Sequence, residues 1–349
     1  MKRIIMASVA ILSAALVFAY NPPVGSQNLF NLSSPTILTS ATSSAGGGIF
    51  MPGAESISLN PALTALEQRT QLDVGFTALI STNSEESGGA AVQTGILIPT
   101  KAFVSSGILN GVFCSADCMD IANTFNMRAG IAKEITDRLS LGLSLNGGIF
   151  WGADSDWALG ADFGLLYRLG NLGFMKDFRI GFAEMNLGKY YSNTLPGLND
   201  SSSTDDFPGI LTTRLGVAAL LFSTEQFKGG FSFDMSIPTF KDVIFDFGLQ
   251  FSFKDLVYLS IAEKIDVVEA SQGHADLIPA IGLSFKVNLN AKNNDYLKSH
   301  SWDSSEMLAG LAWQQKYEEI QAVSGGARIY LGQKDVNPPV IQLWVDDKE

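Results

Sequence analysis

From about Gln71 to Leu331 the chain keeps one rhythm. Apolar residues alternate with small or polar ones for roughly ten positions, stop at a polar turn, and begin again. The period of two is nearly unbroken in Leu139-Ser140-Leu141-Gly142-Leu143-Ser144-Leu145-Asn146 and in Val243-Ile244-Phe245-Asp246-Phe247-Gly248-Leu249-Gln250-Phe251-Ser252-Phe253. Successive side chains of a strand point to opposite faces, so each stretch has one apolar face and one polar or crowded face. The rhythm predicts strands at 71–81, 90–98, 101–113, 124–136, 139–152, 156–169, 176–190, 210–223, 226–240, 243–253, 256–269, 276–290, 305–318 and 323–332. That is fourteen, an even number, as a single-chain barrel requires when both of its ends lie on one side of a membrane.

The first residues read as a secretory signal. Lys2 and Arg3 supply a positive start, Ile4 to Phe18 an apolar stretch, and Ala19 a small residue for cleavage before Tyr20. The residue after that cleavage point is Tyr20 and not a cysteine, which argues against a lipid anchor. Beyond Ala19 nothing approaches the ~18 uninterrupted apolar residues of a spanning helix. Mean hydropathy is nevertheless +0.18, while Asp, Glu, Lys and Arg make up 17% of residues. A soluble domain carries about 25% charged residues, so a soluble β-sandwich fits less well than strands whose apolar faces meet lipid. The expected fold is therefore all-β: a transmembrane antiparallel β-barrel of about fourteen strands with a polar lumen.

Net charge is −12, and loss of Lys2 and Arg3 with the signal lowers it by two, to −14. Acids gather in the turns, as in Glu85-Glu86, Asp154, Asp156 and Asp205-Asp206, so nothing here would displace counterions from a nucleic acid. Cys114 and Cys118 stand close together in an exported chain, where a disulfide closing that short loop would persist. A metal site would need further ligands, and His274 and His300 are distant in sequence. There is no Gly-x-Ser-x-Gly elbow, Walker loop or dinucleotide fingerprint. No enzyme activity, cofactor, metal or nucleic-acid partner is expected.

Residues 20–70 differ in character from the rest of the mature chain: they are rich in Ser, Thr, Gly, Asn and Pro, contain Ser43-Ser44-Ala45-Gly46-Gly47-Gly48, and alternate poorly. Ile49-Phe50-Met51 and Leu59 to Leu66 give this stretch something to bury, so it reads as a plug beside the barrel of 71–332. Pro99-Thr100, Thr136-Asp137-Arg138, Thr224-Glu225 and Lys254-Asp255 are tight turns, whereas 82–89, 114–123 and 191–209 are longer polar connections. Short turns at one end and long loops at the other match the two ends of an outer-membrane barrel, although 291–304 is long on the short-turn side. By parity, Asp73, Arg128, Asp162, Arg179, Arg214, Asp234, Asp246 and Arg328 point inward, because a charge facing hydrocarbon costs a few kcal/mol at the midplane. Trp151, Trp157, Tyr167, Tyr190-Tyr191, Trp313 and Tyr330 fall near strand ends, where aromatic girdles belong.

In 101–113 the rhythm slips. After Val104 the run Ser105-Ser106-Gly107-Ile108-Leu109-Asn110-Gly111 moves its apolar residues to the other parity. Glycine inside a strand marks a bulge, bend or close approach. Ser105, Ser106, Gly107, Asn110 and Gly111 are thus the candidates for a kink that opens a lateral gap; a bulge that merely adjusts barrel shape is the alternative.

Gly53-Ala54-Glu55-Ser56-Ile57-Ser58-Leu59-Asn60-Pro61-Ala62-Leu63, ending in Asn-Pro-Ala just ahead of the first strand, resembles the FadL-type outer-membrane transporters of long-chain fatty acids and other hydrophobic compounds. In layout the resemblance covers the whole mature chain; in sequence it rests on that short motif. It implies that the N-terminal arm is a hatch inside a 14-stranded barrel, with Asn60, Pro61 and Ala62 at its heart. It also implies a kinked third strand that leads from lumen to lipid, which makes the slip at 105–111 the candidate exit. The function so implied is passive uptake of fatty acids or other hydrophobic small molecules across the outer membrane of a diderm bacterium, with outer-membrane lipid as surroundings. Some relatives of this fold act instead as partner or shuttle proteins for secretion or surface attachment. The stretch 333–349, including Pro338-Pro339 and an acidic end, departs from the family's terminal strand and reads as a periplasmic tail where a partner could bind.

Overall fold

Alternating sequence becomes a closed sheet. The computed structural model describes residues 32–39, 41–82, 88–114, 123–152, 155–189, 195–196, 203–204, 211–238, 240, 242–271, 278–290, 294–316 and 320–332. The expected signal peptide, the tail at 333–349, Cys118 and the side chain of Cys114 lie outside the described residues, and the disulfide reading with them. Barrel strands are β1 Thr70–Ser81, β2 Gly89–Pro99, β3 Val104–Cys114, β4 Asn123–Glu134, β5 Leu139–Trp151, β6 Ser155–Leu172 and β7 Met175–Lys189. They continue as β8 Thr212–Ser223, β9 Phe227–Pro238, β10 Ile244–Phe253, β11 Val257–Asp266, β12 Ala280–Asn290, β13 Ser304–Lys316 and β14 Ile320–Leu331. Each pairs antiparallel with its sequence neighbours, and β14 closes on β1, with Arg328 directly opposite Asp73.

The faces sort as the alternation requires. On β1, Gln71, Asp73, Thr77 and Leu79 are buried while Leu72, Val74, Phe76 and Ile80 are exposed. The same holds around the ring: Leu143, Leu145 and Ile149 of β5, Trp157, Leu159 and Phe163 of β6, and Phe247, Leu249 and Phe251 of β10 are exposed. Water does not tolerate an apolar surface this continuous; it is the outer face of a transmembrane barrel. Among the expected girdle residues, Trp151, Trp157 and Tyr167 are on this outer face. Tyr330 is not: it is buried inside, with Arg69 4.2 Å above its ring.

Local chemistry shapes the tight turns. Thr100, Thr136 and Thr224 each open one, and each hydroxyl accepts from the amide three residues on: Phe103 at 3.1 Å, Leu139 at 3.0 Å and Phe227 at 2.9 Å. Lys254 and Asp255 turn with φ of 53° and 52°, the left-handed pair whose twist suits a hairpin. The long connection 291–303 contains a short helix, Asp295–Ser299, capped by the Asn294 side chain.

The slip at the third strand is not a break in the wall. β3 runs in one register against β2, from Gly89↔Cys114 to Pro99↔Val104, and against β4, from Val104↔Ala132 to Val112↔Thr124. Its alternation continues: Val104, Ser106, Ile108, Asn110 and Val112 are buried, and Leu109 and Phe113 on the opposite parity are exposed. The sequence looks inverted because Val104 and Ile108 meet an apolar patch of the N-terminal segment, Ala54 and Ile57, inside the barrel. No lateral gap is found at Ser105, Ser106, Gly107, Asn110 and Gly111. Register shifts lie elsewhere: between β6 and β7 beside Asp162, in the same pair again around Gly170, and in β8 near Leu220. Of these, the first is a bulge carrying Asn186 at φ 62°.

Residues 32–39 and 41–69 lie within this ring. They form a short helix Pro35–Leu38, a small hairpin pairing Thr42–Ser43 with Gly46–Gly47, and two 3-10 turns, Ala54–Ser58 and Pro61–Leu66.

Candidate functional site: the lumen and its N-terminal arm

The Asn-Pro-Ala motif is a wedge against the wall. Asn60 caps the second 3-10 turn, its Oδ1 accepting from Ala62 N at 2.9 Å, and Pro61 occupies the first helical position, where its missing N–H leaves no donor unpaired. The Asn60 amide spends both protons on backbone: Nδ2 donates to Ser44 O at 2.7 Å and to Leu165 O of β6 at 2.9 Å. One buried side chain thereby ties two parts of the arm to the barrel.

The wall makes room by omitting side chains. A Cβ at Gly142 would collide with Pro61 and Ala62, one at Gly164 with Asn60 Oδ1, and one at Gly181 with the Ser44 carbonyl. On β9 and β10, Gly230 and Gly248 meet the backbone of Gly48 and Ala41 in the same way. Glycine here permits close approach of one backbone to another. This cradle was missed in the sequence, although its signal is present: a glycine at inward parity on β5, β6, β7, β9 and β10.

The inward charges resolve into separate groups. Arg328 is buried with Nε 2.9 Å from Asp73 Oδ2; its Nη2 meets Glu55 of the arm, and its Nη1 donates to Met51 O at 3.2 Å. Ser34 Oγ donates to the other Glu55 oxygen at 2.5 Å. Across the lumen, Arg214 Nε and Nη2 lie 2.8 and 2.6 Å from Asp234 Oδ2, while Ser44 N and Oγ donate to Oδ1 at 2.8 and 2.7 Å. Arg179 donates to Gly47 O at 2.6 Å and stacks 4.3 Å from the Phe50 ring centre. Asp246 stands in register between Asp234 and Lys264. Arg128 and Asp162 instead form a wall cluster: Asp162 accepts from Ser144, Asn146 and Asn186 N, and Arg128 Nη2 donates to Asn186 Oδ1 at 2.8 Å. Of the arm's half of this network, Glu55 and Ser44 were given no role from sequence, and Phe50 was read only as an apolar residue to bury. Among the described residues no group of His, Cys, Asp and Glu is placed to hold a metal ion.

Among the described residues, two cavities lie against the arm. One of about 50 Å³ lies between the arm and β10–β14, lined by Pro35, Phe50, Leu63, Ser260, Gly282 and Ser284 among others. A second, of about 490 Å³, sits at the short-turn end, where Arg69, Lys228, Lys286 and Glu306 surround it.

At the long-loop end, outside the spanning strands, Asp242 is buried beside Asp266 and the two carboxyl groups share a hydrogen bond. Burial first, then the charge of Asp266 and that hydrogen bond, push Asp242 up to about 7 from its ordinary 3.8. A carboxyl raised on folding stabilises the folded rim fully below its ordinary value, and the contribution is lost as pH rises through the folded value of about 7. The amides of Val243 and Val268, which donate to these carboxylates at 2.6 and 3.0 Å, should exchange faster above pH 7 than chemistry alone dictates. Asp242→Asn should flatten that step; an unchanged profile in the variant would show that the pair does not hold the rim.

No family model matches the chain, and no curated protein matches it in sequence. Its fold is found among solved structures. The CymD monoaromatic hydrocarbon channel superposes with a TM-score of 0.53 at 12% identity, over 88% of this chain and 100% of that one. The Ralstonia pickettii toluene transporter TbuX gives 0.51 at 13% identity, again over 88% and 100%. The Pseudomonas putida toluene transporter TodX gives 0.51 at 10%, with the same coverage. At such identities the likeness is one of fold, and the fold is the FadL-type barrel that the sequence resemblance implied.

Proposed function

We propose that the protein is a passive channel of the outer membrane that admits hydrophobic small molecules, from hydrocarbons to long-chain fatty acids. The observation that carries this reading is a closed 14-strand barrel with an apolar outer face, its lumen occupied by an arm seated through charged and amide side chains. Hydrocarbon channels share that fold. In this reading the long-loop end faces outward, the short-turn end faces the periplasm, and the arm is the hatch that a ligand must pass. Exit through the third strand is not part of it, because β3 is hydrogen-bonded on both sides.

Liposomes carrying the purified protein should take up oleate or toluene faster than empty liposomes. Equal rates would sink the transport reading. The close seating of the arm supports a second one, a partner protein with a sealed lumen, and equal rates are what that alternative predicts.

A further inference from the structure

The two cavities around the arm share one wall. Ile49, Phe50, Met51 and Pro52 line both, together with Tyr258 and Leu308 of the barrel. This four-residue partition belongs to no helix or strand. Barrel side chains hold its backbone: Ile49 N donates to Gln250 Oε1 at 2.9 Å, Met51 O accepts from Arg328, and Pro52 O accepts from Gln71 at 3.2 Å. Such a segment can swing without breaking a ladder.

Below it the larger cavity, about 490 Å³, has two textures. Its inner end, against the partition, is apolar, made by Ile49, Phe50, Met51, Leu66 and Leu308. Its rim is polar, and each cation there already has a carboxylate: Arg69 and Lys286 lie 2.7 and 3.1 Å from the two oxygens of Glu306, Arg69 also meets Glu67 at 3.1 Å, and Lys228 lies 2.6 Å from Asp255. Paired charges select neither anion nor cation but offer many hydrogen bonds. The volume falls in the range of small-molecule sites, roughly 300–1,000 Å³. Asn288 and Asn290, on its wall, are exposed, so the cavity communicates with solvent at the short-turn end.

We propose that this cavity is a ligand-holding exit vestibule for molecules with an apolar body and one polar end, and that Ile49–Pro52 is the gate above it. Release is then axial, towards the short-turn end, and not sideways into lipid. The proposal rests on the transport reading for its direction of flow, but the vestibule as a binding site can be tested apart from transport.

The probe is a long-chain fatty acid bearing a diazirine in its tail, photolysed with the full-length protein in detergent micelles. Adducts are expected on peptides holding Met51, Tyr258 and Leu308; adducts confined to the outer face of the barrel would overturn the proposal. In liposomes, Asn288→Trp should fill the vestibule and bring uptake of the same acid down to that of empty vesicles. Gly107→Trp, on the outer side of β3, should leave uptake unchanged. The reverse pattern would restore a lateral route and overturn axial release. A change in gel mobility on heating identifies folded barrel in each variant, and if Asn288→Trp does not fold, the photolabel decides. Absence of uptake by the wild-type protein would overturn axial release and the transport reading together, while the vestibule as a binding site would still stand or fall on the label.

Discussion

Arg328→Met should destabilise the folded barrel by about 3–5 kcal/mol, the usual cost of removing one partner from a buried charge pair. The reason is what the variant leaves behind. Glu55 and Asp73 are both buried, both aimed at the same guanidinium, and would face each other with no cation between them. Met51 O would also lose its donor from Arg328. The loss should appear as a lower midpoint in guanidinium unfolding in micelles, and as protease cleavage within the arm at denaturant concentrations the wild type survives. Adding Glu55→Gln and Asp73→Asn to the same protein should recover most of the loss, since a neutral set carries no desolvated charge. A single variant as stable as the wild type would show that the triad does not join arm to barrel.

Gly164→Val is the second large effect, and it should be felt by the arm more than by the sheet. A side chain there has nowhere to go: its first carbon would occupy the place of Asn60 Oδ1 and lie 2.8 Å from Ala62 N. Overpacking a filled interior costs about 1–3 kcal/mol. The ladders of β6 with β5 and β7 do not depend on Gly164 having no side chain, whereas the seat of Asn60 does. The expected product is a folded barrel with a displaced wedge, recognised by steady ionic conductance in planar bilayers where the wild type is near silent. Asn60→Ala should move the same way by a smaller step, because it removes the hydrogen bonds that Asn60 gives to the carbonyls of Ser44 and Leu165. If both variants stay as silent as the wild type, the wedge does not seal the lumen.

Much of the barrel was legible because a two-residue period leaves little choice. Strand number, turn positions and the inward parity of Asp73, Arg128, Asp162, Arg179, Arg214, Asp234, Asp246 and Arg328 follow from which side chains lipid excludes. What misled at the third strand was the assumption that the inner face is polar. Val104 and Ile108 face inward because the lumen there is filled by Ala54 and Ile57, and an apolar interior reverses the expected pattern. Tyr330 misled for a related reason: an aromatic near a strand end suits a girdle, but this one lies beside the guanidinium of Arg69 inside the ring. Glu55 was hidden because a carboxylate in an irregular stretch announces a partner only once Arg328, far along the chain, is brought to it.

The position of that triad has a further consequence. Asp73 is on the first strand and Arg328 on the last, opposite each other across the seam where the ring of strands meets itself. Glu55 of the arm is held by the same guanidinium. Completing the circle and seating the arm therefore draw on one set of bonds, so the two equilibria are linked. Anything that loosens the seam lowers the free energy needed to free the arm, and anything that fixes the arm strengthens the seam by an equal amount. The oldest and youngest strands of the nascent chain are thus stapled together by the segment they enclose.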